Sequence, residues 1–253
     1  MKTIPYSVPV VLEREFEAFP NKWRIPYLRT GEIHVWRQNL DLPLSQVEAF
    51  ASPLSNDEKI RARRFRFDIG RTEFVVSRGT LRVLLEAYQG VPADRLQFAY
   101  SEYGRPRLAV PAGPEPIEFN VSHSAGVALL AFSRFQRIGI DVEKVRREFD
   151  AVEIAENFFS ESERALLRDL HPDMRHEAFF RCWTRKEAFI KALGEGLSHP
   201  RDAFDVSLAP GEPAALLATR PDAREADRWS LREIAVPDSY VATLAVELLA
   251  APA

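Results

Sequence analysis

Cysteine is almost absent. Cys182 stands alone among 253 residues, so the chain cannot close a disulfide on itself, and five scattered histidines do not suggest a zinc cluster. Cys182, beside Trp183, reads as a small core residue rather than a reactive thiol. Long apolar runs are missing too, since no stretch reaches the ~18 residues that a membrane span needs. The opening stretch MKTIPYSVPVVLEREFEAF is interrupted by prolines and followed by acids, unlike a secretory signal, so a cytoplasmic protein with no membrane partner is expected. Positive charge is not in excess. Lys and Arg number 34 against 37 Asp and Glu, a net charge of -3, which argues against a protein dedicated to nucleic acid. No G-x-S-x-G turn surrounds the serines of SHS at 122–124, which excludes a hydrolase elbow there.

What is present is an apolar fraction of 46%, with 11% aromatics, enough to fill a globular core. EIHVWRQNL, Glu32 to Leu40, alternates as a strand and is expected to open the folded part. From Ser55, three residues before Glu58, a helical pattern runs on to Gly90. Strand and turn signals follow, with surface breaks at EYGRP and PAGPEP, as far as RFQR at 134–137. Ser160 and Glu163 form a second capping pattern, before a helix that stops at Pro172. A long helix from about Asp173 to Leu193 ends at Gly194, and FDVSLA, WSLREIAV and YVATLAVELL add strands. Strands and helices do not alternate strictly. The pattern predicts an α+β fold rather than a doubly wound sheet, with a boundary that divides residues 1–136 from 137–253.

The stretch IGIDVEKV, Ile138 to Val145, carries the first chemistry. Its aliphatic residues read as a strand, and side chains two apart on a strand share a face, so Asp141 and Glu143 are neighbours. At an effective dielectric of ~20, two such charges ~5 Å apart repel by roughly 3 kcal/mol. The pair needs a proton, a basic partner or a metal ion. On the long helix, Trp183, Glu187 and Lys191 lie along one face while Ala188, Ile190 and Leu193 face the core. An exposed Glu-to-Lys pair worth a few tenths of a kcal/mol is the plain explanation. Packed over the strand, however, Glu187 brings a third carboxylate and Lys191 a cation for a phosphate oxygen, an arrangement suited to Mg²⁺ and phosphoryl transfer.

FNVSHSAG (119–126), GIDVE (139–143) and WTRKEAFIKALGEGL (183–197), in that order and spacing, resemble the three signature motifs of the 4'-phosphopantetheinyl transferases of the surfactin-synthetase (Sfp-like) type. RFRFDIGRTEF, RGTLRVLL, YGRP and FFSESE extend the resemblance over about Val35 to Leu244. It implies two similar α+β halves related by pseudo-twofold symmetry, with coenzyme A in the cleft between them. The N-terminal half would form the nucleotide side of that cleft and the C-terminal half would carry the Mg²⁺ and catalytic motifs. The activity implied moves the phosphopantetheine arm of coenzyme A to a serine of an apo acyl or peptidyl carrier protein and releases 3',5'-ADP; a monomer is expected.

By the same resemblance Asp141, Glu143 and Glu187 are the Mg²⁺ ligands, Glu143 directly or not, and the acids repel when the ion is absent. Asp141, Glu187 and Lys191 form the catalytic set. Glu187 takes the serine proton directly or through water, and Lys191 stabilises charge on the leaving nucleotide. His123, with Ser122 nearby, is matched to the histidine that meets the nucleotide 3'-phosphate. Arg105 stands where the family often has lysine, and Arg64, Arg71 and Arg78 are candidates for the coenzyme A phosphates, against the alternative of a solvated helix face. Arg146 and Arg147 face either an acidic carrier protein or solvent. Two rivals use the same residues: a metal-dependent nuclease, and a non-catalytic nucleic-acid-binding protein that needs no magnesium.

Overall fold

The computed structural model of the chain describes residues 6–16, 25–109, 116–196 and 199–250. Two strands, β1 (Tyr6–Ser7) and β2 (Val10–Glu15), precede β3 (Glu32–Asn39). The helices α1 (Leu44–Ala51), α2 (Asn56–Arg63) and α3 (Asp68–Gln89) follow, then β4 (Phe98–Tyr100), β5 (Pro106–Leu108), β6 (Glu118–Ser124) and β7 (Val127–Ser133). The chain then enters β8 (Ile138–Lys144), the helices α4 (Ala151–Phe158), α5 (Glu161–Asp169) and α6 (Pro172–Leu193), and β9 (Phe204–Val206). The strands β10 (Leu216–Thr219), β11 (Trp229–Glu233), β12 (Tyr240–Glu247) and β13 (Leu249–Ala250) complete it. Among the described residues no helix is long and apolar enough to cross a membrane.

The α+β character is as expected, with two differences in detail. The fold opens before Glu32, because β2 runs parallel beside β3, Val11 opposite Ile33 and Glu13 opposite Val35. The helical stretch from Ser55 is two helices, because Phe67 takes an extended conformation and restarts the chain at Asp68. Capping boxes at Ser55 with Glu58 and at Ser160 with Glu163 begin α2 and α5. Gly90 (φ 70°) and Gly194 (φ 81°) end the two long helices in the left-handed conformation that glycine adopts without steric cost.

Two sheets form the frame. The N-terminal one has the order β2-β3-β7-β6 and the C-terminal one β11-β12-β8, antiparallel throughout apart from β2 with β3. The alternation of β8 sends Ile138, Ile140 and Val142 into an apolar layer that also holds Ile33 and Val35 of β3 and Leu129 and Ala131 of β7. That layer belongs to both sheets. On the opposite face of β8 lies α6, and Gly139 is where they meet. A Cβ on Gly139 would stand 2.0 Å from Ala188 O and 2.5 Å from Ala192 N, so this strand position admits no side chain. The contact holds α6 against the face that carries Asp141 and Glu143. Gly139→Ala is therefore expected to cost roughly 1–3 kcal/mol or more by overpacking, read as a lower urea midpoint with unchanged m-value.

His34 on β3 makes the N-terminal core sensitive to acid. It is fully buried, its Nδ1 lies 2.7 Å from Tyr88 Oη, and burial above all holds its pKa down at about 4, with Arg14 adding and Glu32 opposing. A histidine depressed from 6.5 costs the fold nothing above its ordinary pKa. As pH falls from 6.5 towards 4 the unfolded chain takes up a proton that the fold refuses, so stability drops, by up to about 3 kcal/mol. Equilibrium unfolding across this range should show that loss, and a smaller one in His34→Gln.

Candidate active site

The strand β6 carries Asn120, Ser122 and Ser124 at every second position, hence on one face. All three reach β8. Asn120 Oδ1 accepts from Ile140 N at 2.9 Å, Ser122 Oγ donates to Asp141 Oδ1 at 2.8 Å, and Ser124 Oγ donates to Glu143 Oε2 at 2.7 Å. No backbone ladder joins β6 to β8. These side chains stitch the edges of two sheets, and they place both acids of the GIDVE stretch.

Lys191, in the last turn of α6, completes the cluster. Its Nζ lies 2.6 Å from Asp141 Oδ1, 2.9 Å from Ser122 Oγ and 3.2 Å from Ile140 O. The Asp141 side chain is 5% exposed and that of Lys191 28%, so the pair is held largely out of water. Burial, as the largest cause, pushes the Asp141 pKa up, against the pull of Lys191 and Ser122. Asp141 Oδ2 is buried with no hydrogen-bond partner. Glu143 is also pushed up, first by burial, with Ser124 opposing and the Asp141 charge adding. The expected repulsion between the two acids therefore persists, and a basic partner absorbs part of it.

Glu187 lies one turn before Lys191 on the same helix face, yet it is paired elsewhere. Its Oε1 accepts from Nε and Nη2 of Arg201 at 2.9 and 2.6 Å. Among the described residues no three His, Cys, Asp or Glu side chains are gathered around a point where one metal ion would sit. Asp141 and Glu143 are together, and the charge of Glu187 also bears on Asp141 and helps to raise its pKa. A cavity of about 310 Å³ lies alongside, lined by Tyr103, Arg105 and Asn120 from one half and by Glu187, Ile190 and Lys191 from the other.

The remaining sequence candidates divide. His123 keeps an exposed edge on β6, and its pKa is lowered mainly because surrounding protein takes part of the ring out of water, with Glu73 opposing and Lys191 adding. The turn after it is clamped from both sides: Gly126 N donates to Glu73 Oε1 at 3.1 Å and Tyr240 Oη donates to Ala125 O at 2.5 Å. Arg105 borders the cavity, but its guanidinium donates to Lys191 O at 2.6 Å and Ile138 O at 3.2 Å, and so caps α6 and binds it to β8. Arg78 is turned inward to Glu58 and Tyr100, stacked over Phe98, and its neighbour Arg82 is buried on Glu58 at 2.6 Å. A solvated face describes Arg64 and Arg71, the latter paired with Asp68, but not Arg78 or Arg82. Cys182 is buried, and its thiol pKa is raised chiefly by that burial.

Four contributors were not foreseen: Asn120, Ser124, Gly139 and Arg201. The period-two polar alternation in NVSHS marks Asn120, Ser122 and Ser124 as one face, while nothing local distinguishes Arg201.

Known proteins give the cluster its context. A profile of the 4'-phosphopantetheinyl transferase superfamily matches residues 137–245, and a profile described as 4'-phosphopantetheinyl transferase, N-terminal, matches 43–134. The chain is 39% identical to the 4'-phosphopantetheinyl transferase HetI of Nostoc sp. over 87% of its own length and 89% of that protein's. The chain belongs to the 4'-phosphopantetheinyl transferase superfamily. Within this superfamily it is also 34% identical to the 4'-phosphopantetheinyl transferase Sfp of Bacillus subtilis, over 67% of this chain and 74% of that one.

The ion pair at the centre of this cluster generates a stability test. Lys191→Met leaves the Asp141 charge buried with one hydroxyl for support, and should cost roughly 2–3 kcal/mol, below the 3–5 of a fully buried pair because Lys191 is partly solvated. Asp141→Asn should cost less, since Lys191 keeps Ser122, Ile140 O and some water. Urea unfolding of the two variants at neutral pH checks the order.

Proposed function

We propose that the protein transfers the 4'-phosphopantetheine arm of coenzyme A to a serine of an apo carrier protein and releases 3',5'-ADP. The observation that carries this is the cluster of Asp141, Lys191 and Ser122, which stands beside a cavity walled by Glu187 in a chain of this family. The cavity takes residues from before and after the boundary at 136/137, which supports the finer reading of coenzyme A held between two halves; their pseudo-twofold relation rests on the family resemblance.

The donor set suits Mg²⁺. Asp141 Oδ2 is a buried oxygen without a partner, Glu143 and Glu187 supply further carboxylate oxygens, and magnesium takes oxygen ligands while keeping some of its water. Asp141 and Glu187 would hold the ion directly, and Glu143 directly or through water. When bound, magnesium would neutralise the pyrophosphate of coenzyme A.

The residues of the chain do the remaining work. Lys191 presents its ammonium group at the cavity wall, where a phosphate oxygen of coenzyme A replaces part of its contact with Asp141. The carrier serine Oγ attacks the phosphorus that bears the pantetheine arm, and the bond from that phosphorus to the 3',5'-ADP oxygen breaks. Glu187 takes the serine proton, directly or through a water. His123 meets the nucleotide 3'-phosphate, which would favour the protonated ring that the free site disfavours, whereas Ser122 points to the other face of β6 and is held by Asp141 and Lys191. Arg64 and Arg71, exposed to solvent, meet coenzyme A phosphates, whereas Arg105 acts mainly by shaping the cavity wall and Arg78 is taken up by Glu58 and Tyr100. Arg146 and Arg147, exposed just beyond β8, face the carrier protein, and the enzyme acts as a monomer.

Intact mass of an apo carrier protein after incubation with the enzyme and coenzyme A tests the reading. One added phosphopantetheine is expected with Mg²⁺, none with chelator, and none when the carrier serine is replaced. Asp141→Asn should lower transfer by at least ~100-fold while the protein stays folded. An active, folded Asp141→Asn protein would remove Asp141 from the metal site.

A further inference from the structure

Arg201 lies in a short 3-10 turn beyond the signature helix, and three features hold it there. Lys186, itself buried in an ion pair with Glu163, donates to Arg201 O at 2.6 Å and to Phe204 O at 2.7 Å, and so pins the turn to α6. The guanidinium lies 5.4 Å over the ring of Trp183, on the same face of α6 as Glu187, and 5.7 Å over that of Phe158 at the end of α4. Both its Nε and Nη2 go to a single oxygen of Glu187, Oε1. Glu187 Oε2 accepts no hydrogen bond among the described residues. The two side chains are 13% and 16% exposed, so little water screens the pair.

The consequence is a site in charge balance. Asp141 carries the ammonium of Lys191, and Glu187 carries the guanidinium of Arg201. Of the three carboxylates two are paired directly with cations and the third, Glu143, lies in the field of Arg146, which leaves little net negative charge to attract a divalent ion. A cation fixed within hydrogen-bond distance of a carboxylate subtracts directly from that attraction, and does so most strongly where water is scarce. An anionic ligand that arrives with the metal reverses the account, because its phosphate oxygens compete for Lys191 and Arg201 and free the acids.

We propose that Arg201 is a positioning residue that holds Glu187 in its metal-free setting, so that a divalent cation alone binds weakly and binds well only together with the pyrophosphate of coenzyme A. The proposal rests on the function proposed above. It makes metal and coenzyme A positively coupled, and it assigns the coupling to a residue outside the three signature motifs. Arg201 does not touch the reacting atoms. Its effect is on the order of binding, and it keeps the enzyme from filling its acids with metal before the substrate is present.

Manganese serves as the probe, with its affinity measured by calorimetry on the whole protein without carrier protein, in the presence and absence of coenzyme A. Wild-type protein should bind Mn²⁺ weakly alone and about tenfold or more tightly with coenzyme A. Arg201→Leu should bind Mn²⁺ alone about tenfold more tightly and lose most of the coupling. Arg201→Gln removes the charge but keeps a donor for Oε1, so it should behave like the leucine variant, and it carries the test if loss of the ring contacts prevents Arg201→Leu from folding. Unchanged or weaker Mn²⁺ binding by a folded variant, or coupling undiminished, overturns the proposal. Wild-type protein that neither modifies a carrier protein nor binds manganese with coenzyme A overturns the underlying function instead.

Discussion

The site depends on a contact between two sheet edges that share no backbone ladder. β6 and β8 are joined by the side chains of Asn120, Ser122 and Ser124, which meet a backbone amide and two carboxylates in turn. Hydrogen bonds to charged groups contribute about 1.5–3 kcal/mol each, against about 1 for neutral ones, so a stitch of this kind is strong where its acids are buried. The same bonds that hold the edges together also orient Asp141 and Glu143. Fold and site therefore share one set of atoms.

The helix is seated by the opposite device, the absence of a side chain. At Gly139 the backbone of α6 comes so close that any Cβ would overlap Ala188 O, and this approach brings Lys191 within 2.6 Å of Asp141. Arg105 then reaches from the N-terminal half to the last carbonyls of α6 and to Ile138 O, and fastens helix, strand and cavity wall with one guanidinium. Elsewhere buried charge builds the supports. Glu163 caps α5, accepts from Val206 N at 2.8 Å and pairs with Lys186, so one carboxylate organises a helix start, a strand and the turn that presents Arg201.

Much of this was legible in the order of residues. Capping pairs at Ser55 and Ser160, glycine ends at Gly90 and Gly194, and the alternation of Ile138 to Val142 are local patterns, and local geometry makes them. That Asp141 and Glu143 share one face of β8, and Glu187 and Lys191 one face of α6, was readable because strand and helix spacing fixes which side chains lie side by side. The inward turn of Arg78 and Arg82 was not readable. Arginines in a basic run look like a solvated face, and only the distant Glu58, brought across by the packing of α2 on α3, makes burial of their charge tolerable.

The sequence by itself determined the periodicities: which residues share a face, where helices begin and end, and which carboxylates are close along the chain. Those follow from dihedral preferences and from the fixed rise of strand and helix, which act over a few residues. Only the tertiary structure decided which cation meets which acid. Lys191 goes to Asp141 over a separation of 50 residues and Arg105 to the end of α6 over 86, while Glu187 is taken by Arg201 from a turn that carries no signal of its own. Pairings of that kind are set by the packing of whole elements and by the cost of leaving a charge buried alone, and neither is written in the neighbourhood of any one residue.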